Sequence, residues 1–166
     1  MAGYRKAVFS DIATGASANT YKTMAAILAS ATAGYKARIR ELVIGVSLDA
    51  PADLQVSLKV NRIADVSAGG AGTADSSIAA SALARPNTDD RDGVTTFGYD
   101  YSVEPTTYET NAHYLVDFNL RGGHTKVWGI EDSIYINNDM LIGILMAPRT
   151  AAAATISGTV VWEELL

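Results

Sequence analysis

Polar and apolar residues alternate most cleanly between Leu54 and Asn61. Leu54, Val56, Leu58 and Val60 fall on one face of a strand, and Gln55, Ser57, Lys59 and Asn61 on the other. The same two-residue period sets Tyr114, Val116, Phe118 and Leu120 against His113, Asp117 and Asn119, with Leu115 as the exception. It returns near the end, where Ile156, Gly158, Val160 and Trp162 alternate with Thr155, Ser157, Thr159 and Glu163. Three such strands, far apart in the chain, predict antiparallel sheets with one wet face.

Elsewhere the pattern is less regular. From Tyr35 to Leu48 the apolar parity runs Ala37, Ile39 and then Leu42, Ile44, Val46, Leu48, which predicts a bulge near Arg40 and Glu41. Met140 to Ala147 is almost continuously apolar, so both of its faces need cover, from another sheet or another subunit. A doubly covered core strand is preferred there over a self-association strand. Shorter strands are expected at Tyr4–Ser10, Thr95–Val103, Thr125–Ile130 and Ser133–Asn137. Tyr21, Met24, Ala25 and Leu28 fit a helical template, but the segment fits a strand equally well and is read as one. Asp75 could cap a short helix through Ile78, Ala79, Ala82 and Leu83 that stops before Pro86.

Turn residues separate these runs at Asp49–Asp53, Arg121–His124 and Asn137–Asp139. Strand and turn at spacings near ten residues predict a sandwich or barrel. No repeat or linker divides the chain, so residues 1–166 read as one domain. The long loop Val66–Gly93 is the expected contact arm, because connections longer than about 12–15 residues are uncommon unless they bind something.

Composition sharpens this picture in three ways. Apolar residues make up 48% and charged residues 19%, which excludes disorder and leaves a surface short of charge, so part of it is expected to be covered. With no cysteine there is no disulfide framework, thiolate metal site or cysteine nucleophile. The net charge of −5 argues against phosphate-backbone binding and against an anionic membrane surface. No run reaches the roughly 18 apolar residues of a membrane span, and no signal-peptide pattern opens the chain; a non-secreted protein is expected.

The motifs that could carry chemistry each lack a part. Gly69, Gly70 and Gly72 are followed by Thr73 and Ala74, where a phosphate loop needs Lys and then Ser or Thr. Asp89, Asp90 and Asp92 beside Gly93 evoke a calcium loop, yet Val94 and Tyr101 occupy positions that must be ligands. His113 and His124 lie in a strand and a turn with no HExxH frame, and Ser157, Ser76 and Ser77 have no nucleophile elbow. The pairs Glu131–Asp132 and Glu163–Glu164 point to opposite strand faces and read as solvated charge. Tyr99, Tyr101, Tyr108 and Tyr114 suit an interface or a carbohydrate platform, while core packing is the default for any one of them and for Trp128 and Trp162. No catalytic, cofactor-binding or metal-ligating residue is assigned, and no enzyme activity is expected.

In order and texture the chain resembles small structural proteins of tailed bacteriophages, read as jelly-roll capsid decoration or minor head proteins. The resemblance lies in the opening Tyr4-Arg5-Lys6-Ala7-Val8-Phe9-Ser10, the Ala/Thr/Ser-rich segment, Ile39-Arg40-Glu41-Leu42-Val43-Ile44-Gly45-Val46-Ser47 and the basic strand Leu58-Lys59-Val60-Asn61-Arg62-Ile63. It continues through a Gly/Ser loop closing on Ala84-Arg85-Pro86 and the ending Ala154–Glu164. The segment after Pro86, rich in Asp and Tyr, is longer than the family pattern. The resemblance implies an all-β antiparallel sandwich of jelly-roll type, to which the residues themselves add the one long loop and the short helix that Asp75 could cap. It also implies a virion protein on the capsid surface, made in the host cytoplasm, without cofactor and without direct nucleic acid or membrane contact. The implied partners are the major capsid protein and copies of itself, as a homotrimer. The alternative is a carbohydrate-recognition or receptor-binding module of a virion using Tyr99, Tyr101 or Tyr108; a cupin-type enzyme would need a histidine cluster that two histidines do not supply.

Overall fold

The computed structural model describes residues 3–29, 35–47, 53–63, 66, 70–78, 83 and 94–165. Among these, eleven strands form two antiparallel sheets. Sheet A contains β1 (Gly3–Ala13), β11 (Thr155–Leu165), β3 (Lys36–Val46) and β8 (His124–Val127) in that order, with the short β9 (Tyr135–Ile136) continuing the β8 side of β3. Sheet B runs β5 (Thr73–Ile78), β6 (Thr96–Val103), β2 (Lys22–Leu28), β10 (Leu141–Pro148), β4 (Gln55–Ile63) and β7 (Tyr114–Asn119).

The pairing is nested. The first strand pairs with the last, β2 with β10, β3 with β8 and β4 with β7, and the hairpin β5–β6 adds to the outer side of β2. One long antiparallel ribbon rolled over itself in this way is a jelly roll, the expected sandwich. Between the sheets, alternate residues of both interleave in a single core. Phe9, Ile39, Leu42, Val160 and Trp162 of sheet A meet Met24, Ile27, Leu58, Phe97 and Ile144 of sheet B. Each such buried side chain contributes about 1.5–3 kcal/mol by leaving water.

Bulges keep the apolar positions pointing inward where strict alternation would fail. Val161 faces Glu41 and Trp162 faces Ile39, so Arg40 is the extra residue, at the place where the parity of the sequence slips. In β1, Ser10 and Asp11 together oppose Ser157, and Asp11 takes φ 60, a backbone state that Asp adopts more readily than most residues. Gly158 is required by close approach: a Cβ there would lie 2.5 Å from Cζ of Phe9 and 2.7 Å from the Val43 carbonyl oxygen.

Two expectations are corrected. The helix starting at Asp75 does not form as far as Ile78: residues 73–78 are β5, with burial alternating along the strand, because pairing with β6 outweighs a weak capping signal. Residues 79–82 lie outside the described residues. The polar face of β4 is not wet, since Ser57 and Asn61 are fully buried. The preferred reading of the apolar run holds: β10 is a central strand between β2 and β4, buried on both faces, with no free edge for another copy.

Candidate functional site

Cover for sheet B comes from the connection between β6 and β7. Residues 104–113 cross the outside of β2, β10 and β4 as a strap. The Glu104 carboxylate accepts from the Thr23 amide at 2.8 Å, and the Tyr108 hydroxyl is hydrogen-bonded to the Thr23 hydroxyl at 3.2 Å. The Tyr108 ring lies on Gly143, where any Cβ would overlap it, and Tyr108 bridges to Ile63. Further along, the Glu109 and His113 amides donate to the carbonyls of Arg62 and Val60, and the Asn61 side chain donates to the Glu109 carbonyl at 2.6 Å. Under the strap, Ala26, Ile63, Tyr101 and Leu141 form a second small core.

The tyrosines of the expected carbohydrate platform are spent on this packing. Tyr101 is 6% exposed, and burial, with the Glu104 charge, pushes its hydroxyl up to about 12. Burial likewise raises Tyr108, and Tyr99 packs against the main core beside Phe97. A cleft of about 290 Å³ opens beside Leu28, Gly98, Tyr101 and Leu141, at the lower bound for small-molecule pockets.

The two histidines do not converge. His113 is hydrogen-bonded to the Glu109 carboxylate at 2.7 Å, and Arg62 pairs with the same carboxylate at 2.8 Å. His124 lies between the Tyr114 and Phe118 rings at the open edge of the sandwich, with its Nε2 2.9 Å from the Tyr114 hydroxyl. There Lys126 covers the Tyr114 and Trp128 rings at 5.2 and 5.7 Å, so this cluster seals the edge between β7 and β8. Among the described residues no group of three or more His, Asp or Glu is placed to hold a metal ion. Ser76 and Ser77 lie on the edge strand β5, Glu131 and Asp132 are exposed, and Trp128 and Trp162 are in the core. Gly70 packs on Thr107 and Gly72 takes φ 69 in the turn before β5. Gly69, Asp89, Asp90, Asp92, Gly93 and most of the Val66–Gly93 arm lie outside the described residues.

These sites give acid sensitivity a definite sign. Burial, and then the Lys126 charge, lower His124 below the usual histidine value. Burial alone would raise Glu109, but the hydrogen bonds and charges of Arg62 and His113 outweigh it and hold the carboxyl below its usual value. Asp117 is lowered by hydrogen bonds from Arg149 and Ser57. All three bind protons more weakly folded than unfolded, so their contributions are complete above the unfolded values and are lost as pH falls. Melting temperature should therefore drop first below about pH 6.5, through His124, and again below about pH 4.3, through Glu109 and Asp117. His124→Phe should flatten the first step and Glu109→Gln part of the second in thermal melts across that range; melts that keep both steps in these variants would disprove the assignment.

Glu163 and Glu164, expected as solvated charge, are buried. They diverge as neighbours in a strand must. Glu164 points inward, pairs with the fully buried Arg5 at 3.2 Å, and accepts from the Val94 and Thr95 amides and the Thr95 hydroxyl. The Trp162 indole N–H donates to the same hydroxyl at 2.8 Å. Glu163 points outward to Arg38 at 2.7 Å, and the Arg38 guanidinium also donates to the Tyr135 hydroxyl. Both glutamates are thus held by arginines far away in sequence.

Among the described residues no segment crosses the outer face of sheet A as residues 104–113 cross sheet B, although Tyr135 covers Arg38 at one end of it. The pairing registers arrange it in rows. Lys6, Val161, Glu41 and Val127 form one row across β1, β11, β3 and β8; Val8, Thr159, Val43 and Thr125 form the next. Tyr4, Glu163 and Arg38 flank the first row, and Ser157 and Gly45 flank the second. Val8 is 58% and Val127 64% exposed. No window of sequence marks this face, because its valines alternate with core residues and the bulges change the parity. Comparison with known proteins finds no family model that matches the chain and no curated protein that matches its sequence.

Proposed function

We propose that this protein is a structural, adhesive component of a tailed-phage virion, a decoration protein bound to the outer surface of the assembled head. The observation that carries the reading is the bare outer face of sheet A. A β body that shields one sheet with its own strap and leaves Val8 and Val127 of the other exposed, with Val43 and Val161 half-buried between them, is suited to being covered by protein. The rolled-up fold and the texture of the sequence agree with that role.

Its mechanism is selective binding. A ligand that binds the expanded lattice but not its precursor, present at about 100 times its dissociation constant, favours the expanded state by about 2.7 kcal/mol per site. Summed over many copies, this opposes the outward push of a packed genome. The purified chain should co-sediment with expanded heads and not with unexpanded precursors, and antibody against it should label virion heads in electron micrographs. Labelling confined to tails, or its absence from particles, would sink the assignment.

A further inference from the structure

We infer that the outer face of sheet A joins two copies of the chain about a twofold axis that lies in the interface and runs along β11. This rests on the reading of that face as a contact surface and names a second copy, in place of the head lattice, as its occupant. The argument is one of register. An axis along β11 turns each row over on itself, so the residue on the β1 side of one copy meets the β3 residue of the same row in the other. Lys6 then faces Glu41, and the reciprocal pair forms on the other side of the axis. Val8 faces Val43, while Val161 and Thr159, on the axis, meet their own counterparts.

The charged positions fit this symmetry. Among the described residues Lys6 and Glu41 have no ion pair within the chain, and both flank Val161. Glu163, which also lies on the axis, already carries Arg38 at 2.7 Å, so two neutralised carboxylates meet there. With the axis along a strand, the strands of the two sheets run nearly parallel, the aligned way in which sheets stack.

The area sets the strength. Three overlapping strands are about 14 Å wide and eleven residues about 36 Å long, which gives about 500 Å² per copy and about 1,000 Å² for the pair. That is the lower bound for a specific interface, so pairing is concentration-dependent and salt-sensitive.

Sedimentation equilibrium of the purified full chain tests this. The protomer of 17.5 kDa should give way to a species of twice that mass as concentration rises. Lys6→Glu alone and Glu41→Lys alone should each weaken the pair about tenfold or more, and Lys6→Glu combined with Glu41→Lys should restore it, because the reversed charges again face each other. Circular dichroism melts establish that each variant is folded. A chain that stays monomeric up to about millimolar concentration, a trimer, or a double variant no tighter than the single ones would overturn the inference. Head binding by a chain that remains monomeric would leave the proposed function standing while removing the pairing; pairing without head binding would do the reverse.

Discussion

Replacing Glu164 by alanine should destabilise the fold by about 3–5 kcal/mol, because it removes the carboxylate that the fully buried Arg5 guanidinium meets at 3.2 Å. It also removes the acceptor of the Val94 and Thr95 amides. In urea the midpoint should fall while the slope is unchanged. The reason lies in the asymmetry of buried charge: making the pair gains little over an apolar contact, whereas halving it is costly. The companion variant Arg5→Met/Glu164→Leu should therefore recover most of the loss. A double variant as unstable as Glu164→Ala would mean that the hydrogen bonds to residues 94 and 95, and not the charge, hold this end of the sandwich.

The second large effect is expected at Gly143. An alanine Cβ there would lie 2.0 Å from the Tyr108 hydroxyl oxygen and 2.6 Å from its ring, so the strap must lift or the central strand must bend. Overpacking of this kind costs about 1–3 kcal/mol. Lifting would also loosen the Glu104–Thr23 and Glu109–Arg62 contacts, so limited proteolysis should cut the Gly143→Ala variant between residues 104 and 113 sooner than the parent. In a Tyr108→Ala background the same Gly143→Ala change should be nearly neutral, giving a coupling energy of about 1–3 kcal/mol in a double-mutant cycle. Additive effects would show that the two residues do not oppose each other.

Local pattern carried the strands wherever apolar and polar residues alternate or one parity slip is clean. β4, β7 and β11 are visible in the two-residue period, and the bulge at Arg40 is visible because the apolar positions change parity across it. The run in β10 made a requirement legible, cover on both faces, without saying what meets it; Gly143 inside that run was the only local trace of Tyr108. β5 was misread because Asp75 and Ile78 satisfy a capping template as well as they satisfy a strand, and the deciding contact is with β6, over twenty residues on. The buried carboxylates were invisible for a related reason. Two glutamates near the end of a strand look solvated until Arg5 and Arg38 are brought to them by the first and third strands. Likewise, the contact face of sheet A is assembled from four strands spread along the chain, so no window of sequence contains it.

The nested pairing also sets the order in which this molecule comes into being on the ribosome. β11 is an interior strand of sheet A, and of the eleven strands it is the last in chain order. Until it slots between β1 and β3, the row containing Lys6 and the row containing Glu41 belong to separate strands with a gap between them. A nascent chain that lacks β11 therefore has no continuous outer face on sheet A, and that face is completed only when β11 has emerged.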